Sequence, residues 1–389
     1  MDRMKKNNLC YFCFFIIFLV FLITIQCSMF HGRKPLQKNQ IVIDYSMPLE
    51  VYEWLRLLKL DNDYLDVKDY FLNKVVNTPG CKAALRYLDN FTEIDGKEFY
   101  KLIIEALYAS SEKKIYKFDG YFTSYGRMKN MWLSKLAEPQ SILETINTLN
   151  EVNLSEKSEK LLKKYLPDDA LINTTFYFYV YGDIESPLMG MKNGADLFNL
   201  PVNDNENIEF EKIIKKIAQG AFYDSFEMYA DNVDKNILMK DKICLVRMLA
   251  KSGFASYFFK DINESFLNNS NYYMYDYPEV WETQYNRLPE LYILADRDLQ
   301  NSLKGEISKE EIVDYWLQGK VTPASVLGYD MVAKIDKYLG LEKAVEAVKD
   351  YRKLMFYYDR AAKAAYLQRK EVHRFDKQLA YDLAFYTGK

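Results

Sequence analysis

Histidine is almost missing from this chain: His31 and His373 are the only two in 389 residues. Chemistry that rests on imidazole, as a metal ligand or as a general base, has almost nothing to draw on. Cysteine is nearly as scarce. Cys10 and Cys13 sit inside an apolar run, so their C-x-x-C spacing carries no weight, and Cys27 closes that run. Only Cys81 and Cys244 lie in the body, and two distant thiols make neither a disulfide framework nor a zinc site. A single bridge stays open if the body is extracellular. A basic stripe with interleaved aromatics is also lacking. Residues 1–40 carry six cationic side chains against Asp2, which leaves the rest at −8 within a total of −3. A mildly acidic body excludes nucleic acid as the expected partner. No Pro/Gly/Ser-rich linker divides residues 45–389, and there are no internal repeats.

What is present is an ordinary globular composition, 49% hydrophobic and 28% charged, in a chain long enough for a large core. Residues 9–25 form a nearly unbroken apolar run after a short basic segment. That is the layout of a signal peptide or a signal-anchor helix over residues 1–30. The run reaches the lower limit for spanning a bilayer, and Met29-Phe30 extend it. The alternative, a buried core helix, would normally show a polar face. Both flanks are basic, so the charge rule orients the segment poorly. The short N-terminal tail favours export of the body, so the expected location is membrane-associated or exported, with residues 9–30 as the membrane contact. Cys27 is a candidate for lipidation, although Gln26 stands where a small residue is wanted.

Residues 31–44 read as a polar, basic linker. From Pro48 the pattern is helical, with stripes at Leu49, Tyr52, Leu55 and Leu58, at 99–107, and after Pro139. Residues 154–166 form a charged helix, best taken as a solvated face. Residues 171–181, rich in β-branched and aromatic types, give the best strand. A second short strand is expected within 188–197. Gly190 and Gly194 do not form a phosphate loop, because no Lys-Ser/Thr follows. One amphipathic helix then covers 206–230. Further helices are expected at 237–259, at 278–302 with a break at Pro289, and at 308–318, 323–339 and 341–358, with one more in the C-terminal segment. The fold class is mainly α, of the α+β kind, with one small sheet. A helical subdomain over 45–165 packs with a strand-and-helix region over 166–389.

Three blocks in order carry a resemblance. The strand pair at 171–200 leads into the 206–230 helix. Leu245 to Tyr257 follows, with Ser252-Gly253-Phe254-Ala255-Ser256-Tyr257 at its end. Then come Val326-Leu327-Gly328-Tyr329-Asp330 and the aromatic Phe356-Tyr357-Tyr358. Over roughly 165–360 this resembles the gluzincin-like zinc-dependent peptidases of bacteria. The resemblance implies a zincin-like helical body. It implies His-Glu-x-x-His on the first helix and a Glu ligand just before the Gly of the second block. Carried over residue by residue, the histidine positions fall at Lys216 and Gly220, the base at Ile217, and the third ligand at Ser252, beside Gly253. Lys, Ile, Gly and Ser supply neither three zinc ligands nor a base. A slip in register recovers no histidine. The expectation is a pseudo-metallopeptidase with no metal and no other cofactor, binding a protein or peptide through a vestigial cleft at Lys216, Ile217, Gly220, Ser252 and Gly253. Ile217 also falls on the stripe of Phe210, Ile213, Ile214, Ala221 and Phe222, where a plain core residue belongs.

Other constellations are weaker. Asp224 with Glu227, and Glu306 with Glu310, share helix faces, but such pairs arise freely among 55 acidic residues. Ser252 has no G-x-S-x-G elbow and no nearby His. The tyrosine-rich runs at 176–179 and at 272–277 differ in kind. The first reads as strand core. The second, with Tyr272, Tyr273, Tyr275 and Tyr277, is a candidate recognition surface. Two alternatives to the pseudo-enzyme remain: a hydrolase using carboxylates in the same cleft, and a structural envelope protein.

Overall fold

A computed structural model describes residues 40–60, 64–91, 100, 104, 131–181, 193–202, 205, 207–259, 276–319 and 321–387. The apolar run at 9–25, Cys27 and His31 lie outside these residues. Gln40–Lys389 forms one compact unit. Among the described residues no helix is long and apolar enough to cross a membrane.

The chain opens with β1 (Gln40–Asp44), α1 (Ser46–Lys59), α2 (Tyr64–Tyr70), a π-helical turn over Phe71–Val75, and α3 (Pro79–Phe91). Next come α4 (Gln140–Glu151), α5 (Leu154–Leu162), β2 (Asn173–Tyr179), β3 (Gly194–Asp196) and the long α6 (Phe210–Asp234). A 3-10 turn over Lys240–Ile243 leads into α7 (Cys244–Phe258). The rest is helical: α8 (Asp276–Asn286), α9 (Leu288–Lys304), α10 (Lys309–Trp316), α11 (Pro323–Leu339), α12 (Leu341–Lys349), α13 (Lys353–Leu367) and α14 (Lys377–Ala384). The body is mainly α with one small three-stranded sheet, as the sequence suggests.

The sheet differs from expectation at its first strand. Residues 40–44, inside the stretch read as linker, are a strand. Ile41, Val42 and Ile43 are β-branched, and Ile41 is buried, so the local preference was present in a very short run. The strands run parallel in the order β1-β2-β3, with Ile41 opposite Thr174 and Phe178 opposite Ala195. A parallel pair needs a crossover rather than a tight turn. For β1 to β2 that crossover carries α1 to α5. The free edge of β1 is closed by α5: Ile41 N donates to Glu159 Oε1 at 2.8 Å, and Ser155 Oγ donates to Ile41 O at 2.5 Å. Side chains here do the work of a neighbouring strand.

The end of β2 is held by an aromatic group. Trp132 Nε1 donates to Tyr181 O, and Tyr100 OH donates to Val180 O. Trp54 packs edge-on against both Phe71 and Trp132 and donates to Val67 O. Each buried ring therefore has its polar tip satisfied.

Two helix breaks fall elsewhere than the prolines suggest. The break between α8 and α9 comes at Arg287, because Pro289 occupies the first turn of α9, where its missing N–H costs nothing. The stretch 341–358 divides at Asp350, whose carboxylate accepts from the Arg352 backbone and guanidinium.

Helices α7 and α11 cross at their closest through two glycines. A Cβ on Gly253 would lie 2.5 Å from Gly328 Cα, and one on Gly328 would lie 2.7 Å from Gly253 Cα. Neither site has space for a methyl group, and the obstructing atoms are backbone. Gly253→Ala should therefore cost about 3 kcal/mol or more in urea unfolding, the upper range for overpacking. Gly305→Ala, at φ +79° but with open space around it, should cost only about 1 kcal/mol. Equal losses at the two positions would show that α7 and α11 are not held this close.

Candidate functional site

The site is built where α6 and α7 run side by side in opposite directions. Phe222 meets Phe258 with ring centres 5.7 Å apart, and Phe226 meets Phe254 at 6.5 Å. Residues late in α6 therefore face residues early in α7. Along one flank α6 presents Glu227, Asp231 and Asp234, spaced by four and three. Arg247 of α7 reaches all three: it pairs with Glu227 and Asp234, and lies 3.1 Å from Asp231. Lys251, one turn on, lies 2.5 Å from Glu227 Oε1 and over the Tyr223 ring. Tyr351 OH donates to Asp234 Oδ1 at 2.7 Å.

Burial alone would raise the Glu227 carboxyl. The hydrogen bonds and charges of Lys251 and Arg247 outweigh it and hold the group below the ordinary glutamate value. Burial likewise works against the Arg247 charge, and the surrounding carboxylates overcome it. The result is a compensated cluster of three acids and two cations, in which Asp234 also accepts from the Tyr351 hydroxyl.

Above this cluster opens a cavity of about 320 Å³. Glu227, Asp234, Arg247, Lys251, Ser252 and Tyr351 line it from below. Lys240, Asp241, Cys244, Met248, Lys309, Val313 and Leu317 complete the wall. Burial pushes the Cys244 thiol up to about 11, so it is a neutral wall group at physiological pH.

The residues expected to form one cleft are not brought together. Ser252 lines the cavity. Gly253 sits in the glycine contact with α11. Lys216 is only 6% exposed, Ile217 is fully buried, and Gly220 lies on the same buried face of α6. Lys216 precedes Glu227 by eleven positions, which is roughly 16 Å along a helix. The residues that α6 sets against this part of α7 are Glu227, which shares the cavity wall with Ser252, and Tyr223, beneath Lys251. Asp224, between them in sequence, is turned to the sheet and accepts from Thr174 Oγ1 at 2.9 Å and Asn193 Nδ2 at 2.7 Å. The Asp224 and Glu227 carboxylates thus share a helix but face different neighbours. Glu306 and Glu310 are exposed. Tyr272, Tyr273 and Tyr275 lie outside the described residues, as does the side chain of Tyr277 at the start of α8. His373 lies in the C-terminal segment, stacked on Tyr292.

Sequence reasoning passed over Arg247. It stands in the apolar run Leu245-Val246-Arg247-Met248-Leu249, and a guanidinium there must find acids. The acids at 227, 231 and 234 form the matching stripe. Among the described residues, no group of three or more His, Cys, Asp or Glu side chains is placed to hold a metal ion.

Compared with known families, residues 72–365 match the model of the family described as "Putative zinc dependent peptidase", which covers about three quarters of the chain. No curated protein and no solved structure gives a match.

Arg247→Met should lower stability at neutral pH by about 2–3 kcal/mol, the low side for a buried ion pair because Asp231 is mostly exposed. The folded Glu227 value is depressed, so its stabilisation is present above the ordinary 4.5 and is lost as pH falls through the folded value. The gap between variant and parent, read by urea unfolding, should therefore close in acid. A gap that stays constant with pH would count against the clamp. Lys216 offers a second test. Its amine, buried without a hydrogen-bond or ion-pair partner among the described residues, is lowered by desolvation to about 8. Below that pH both states carry the proton and the penalty is full. Between about 8 and 10.5 the unfolded chain binds more protons, so stability rises with pH. Lys216→Met should remove that slope and stabilise the protein at pH 7 by on the order of 3 kcal/mol.

Proposed function

The chain belongs to this family, and from that premise we propose that it is a catalytically inactive member that binds a protein or peptide. Residues 9–30 would hold it at the membrane or direct its export.

One observation carries the reading. The α6 residues set beside Lys251 are Tyr223 and Glu227, four apart, with Asp224 next to the first. This is the spacing that two zinc-binding imidazoles and a base would need, and no imidazole stands there. The donor set does not fit the metal. Catalytic zinc needs three firm ligands and an open position. Here the Lys251 ammonium sits against Glu227, and Arg247 takes the other carboxylate oxygen. Two cations stand where a third would have to bind.

The same arrangement argues against a hydrolase that works through carboxylates. Such an enzyme needs a carboxyl raised enough to donate a proton. Glu227 is held in the opposite direction. What remains is a small, partly apolar cavity on a rigid helical scaffold, which suits recognition.

The test is the zinc content of the purified full-length chain after dialysis against trace zinc, together with hydrolysis of a broad peptide substrate. The expected result is far less than one zinc per chain and no cleavage. Stoichiometric zinc that disappears in Glu227→Ala would overturn the reading.

A further inference from the structure

The cavity wall has an asymmetry that the ion-paired cluster alone does not require. Every carboxylate in it is paired with a cation. Glu227 is taken by Arg247 and Lys251, Asp234 by Arg247 and Tyr351, and Asp241 by Lys309 at 2.9 Å. The side chains without a partner are an ammonium and a hydroxyl, and both can donate. The Lys240 ammonium and the Ser252 hydroxyl line the cavity, and neither has a partner among the described residues. Between them lie apolar surfaces from Met248, Val313 and Leu317, the last 42% exposed.

Resting on the peptide-binding reading above, we propose that this cavity takes the C-terminal end of a peptide, with a free carboxylate and an apolar last side chain. A cationic ligand would find no carboxylate that lacks a cation already. A multiply charged anion such as a phosphate would be underserved by one uncommitted ammonium. A monoanion with an apolar body matches one cation, one hydroxyl and an apolar wall. The volume, about 320 Å³, is at the small end for ligand pockets, so it holds a chain end and not an extended stretch. Lys240 is exposed in the short turn before α7, where a charge steers an anion without a large desolvation cost.

The experiment is fluorescence polarisation with the full-length chain and fluorescein-Gly-Gly-Leu, as the free acid and as the C-terminal amide, with octanoate as competitor. The acid should bind at least about tenfold tighter than the amide, a difference of about 1.4 kcal/mol. That preference should weaken with added salt. Lys240→Ala, at an exposed position, should remove the preference and leave the amide affinity unchanged. Equal binding of acid and amide would overturn the carboxylate assignment and leave the peptide-binding reading intact. Binding of neither would overturn both. Octanoate binding, read by isothermal titration calorimetry, without peptide binding would assign the same carboxylate chemistry to a lipid and overturn the peptide.

Discussion

The close approach of Gly253 and Gly328 sets the geometry on which the α6–α7 seam and its cavity depend. With no side chain at either position, α7 and α11 can touch backbone to backbone. This fixes the rotation of α7 about its own axis. One face, with Leu249 and Phe254, goes into the core. Arg247, Lys251 and Ser252 are then set toward α6 and the cavity. A larger residue at the crossing would move all three at once, because a helix shifts as a unit.

Given that placement, the chemistry of the α6–α7 seam follows from electrostatics. Three acids on one helix flank would repel one another and lose hydration as α7 covers them. Arg247 is the group best shaped to resolve this, since its fork can serve several carboxylates together. Lys251 completes the neutralisation at Glu227. A metal cation would meet the same acids, but they are already satisfied. An ion-paired seam and a metal centre are alternative solutions to one local problem, and this chain's residues fit the first.

Much of the helical body was legible in the sequence. The run 323–339 is a helix with the ends its Pro323 and Gly340 suggest, and the aromatic strand at 171–181 is the centre of the sheet. The order of blocks was sufficient to suggest the family. The site was less legible. Periodicity showed Ile217 on a buried stripe, and it is buried, but it could not show which turn of α6 faces Ser252. That depends on Phe222 and Phe226 meeting Phe258 and Phe254, contacts between segments whose relative offset no local pattern encodes. Gly253 and Gly328 were visible as glycines in two separate blocks, yet only packing reveals that they face each other. Residues 40–44 were missed for a related reason: a strand this short declares itself through its partner, and its partner lies far along the chain.

That distance has a kinetic side. The backbone of Ile41 bonds to Glu159, 118 positions later, and pairs with Thr174 beyond it. The first strand of the sheet therefore cannot be seated until the middle of the chain has been made. Until then β1 has an open edge, and pairing across so long a loop is slow. During synthesis the earliest part of the body waits for the later part, and in that interval the vacant edge is the place where another extended segment could pair in its stead.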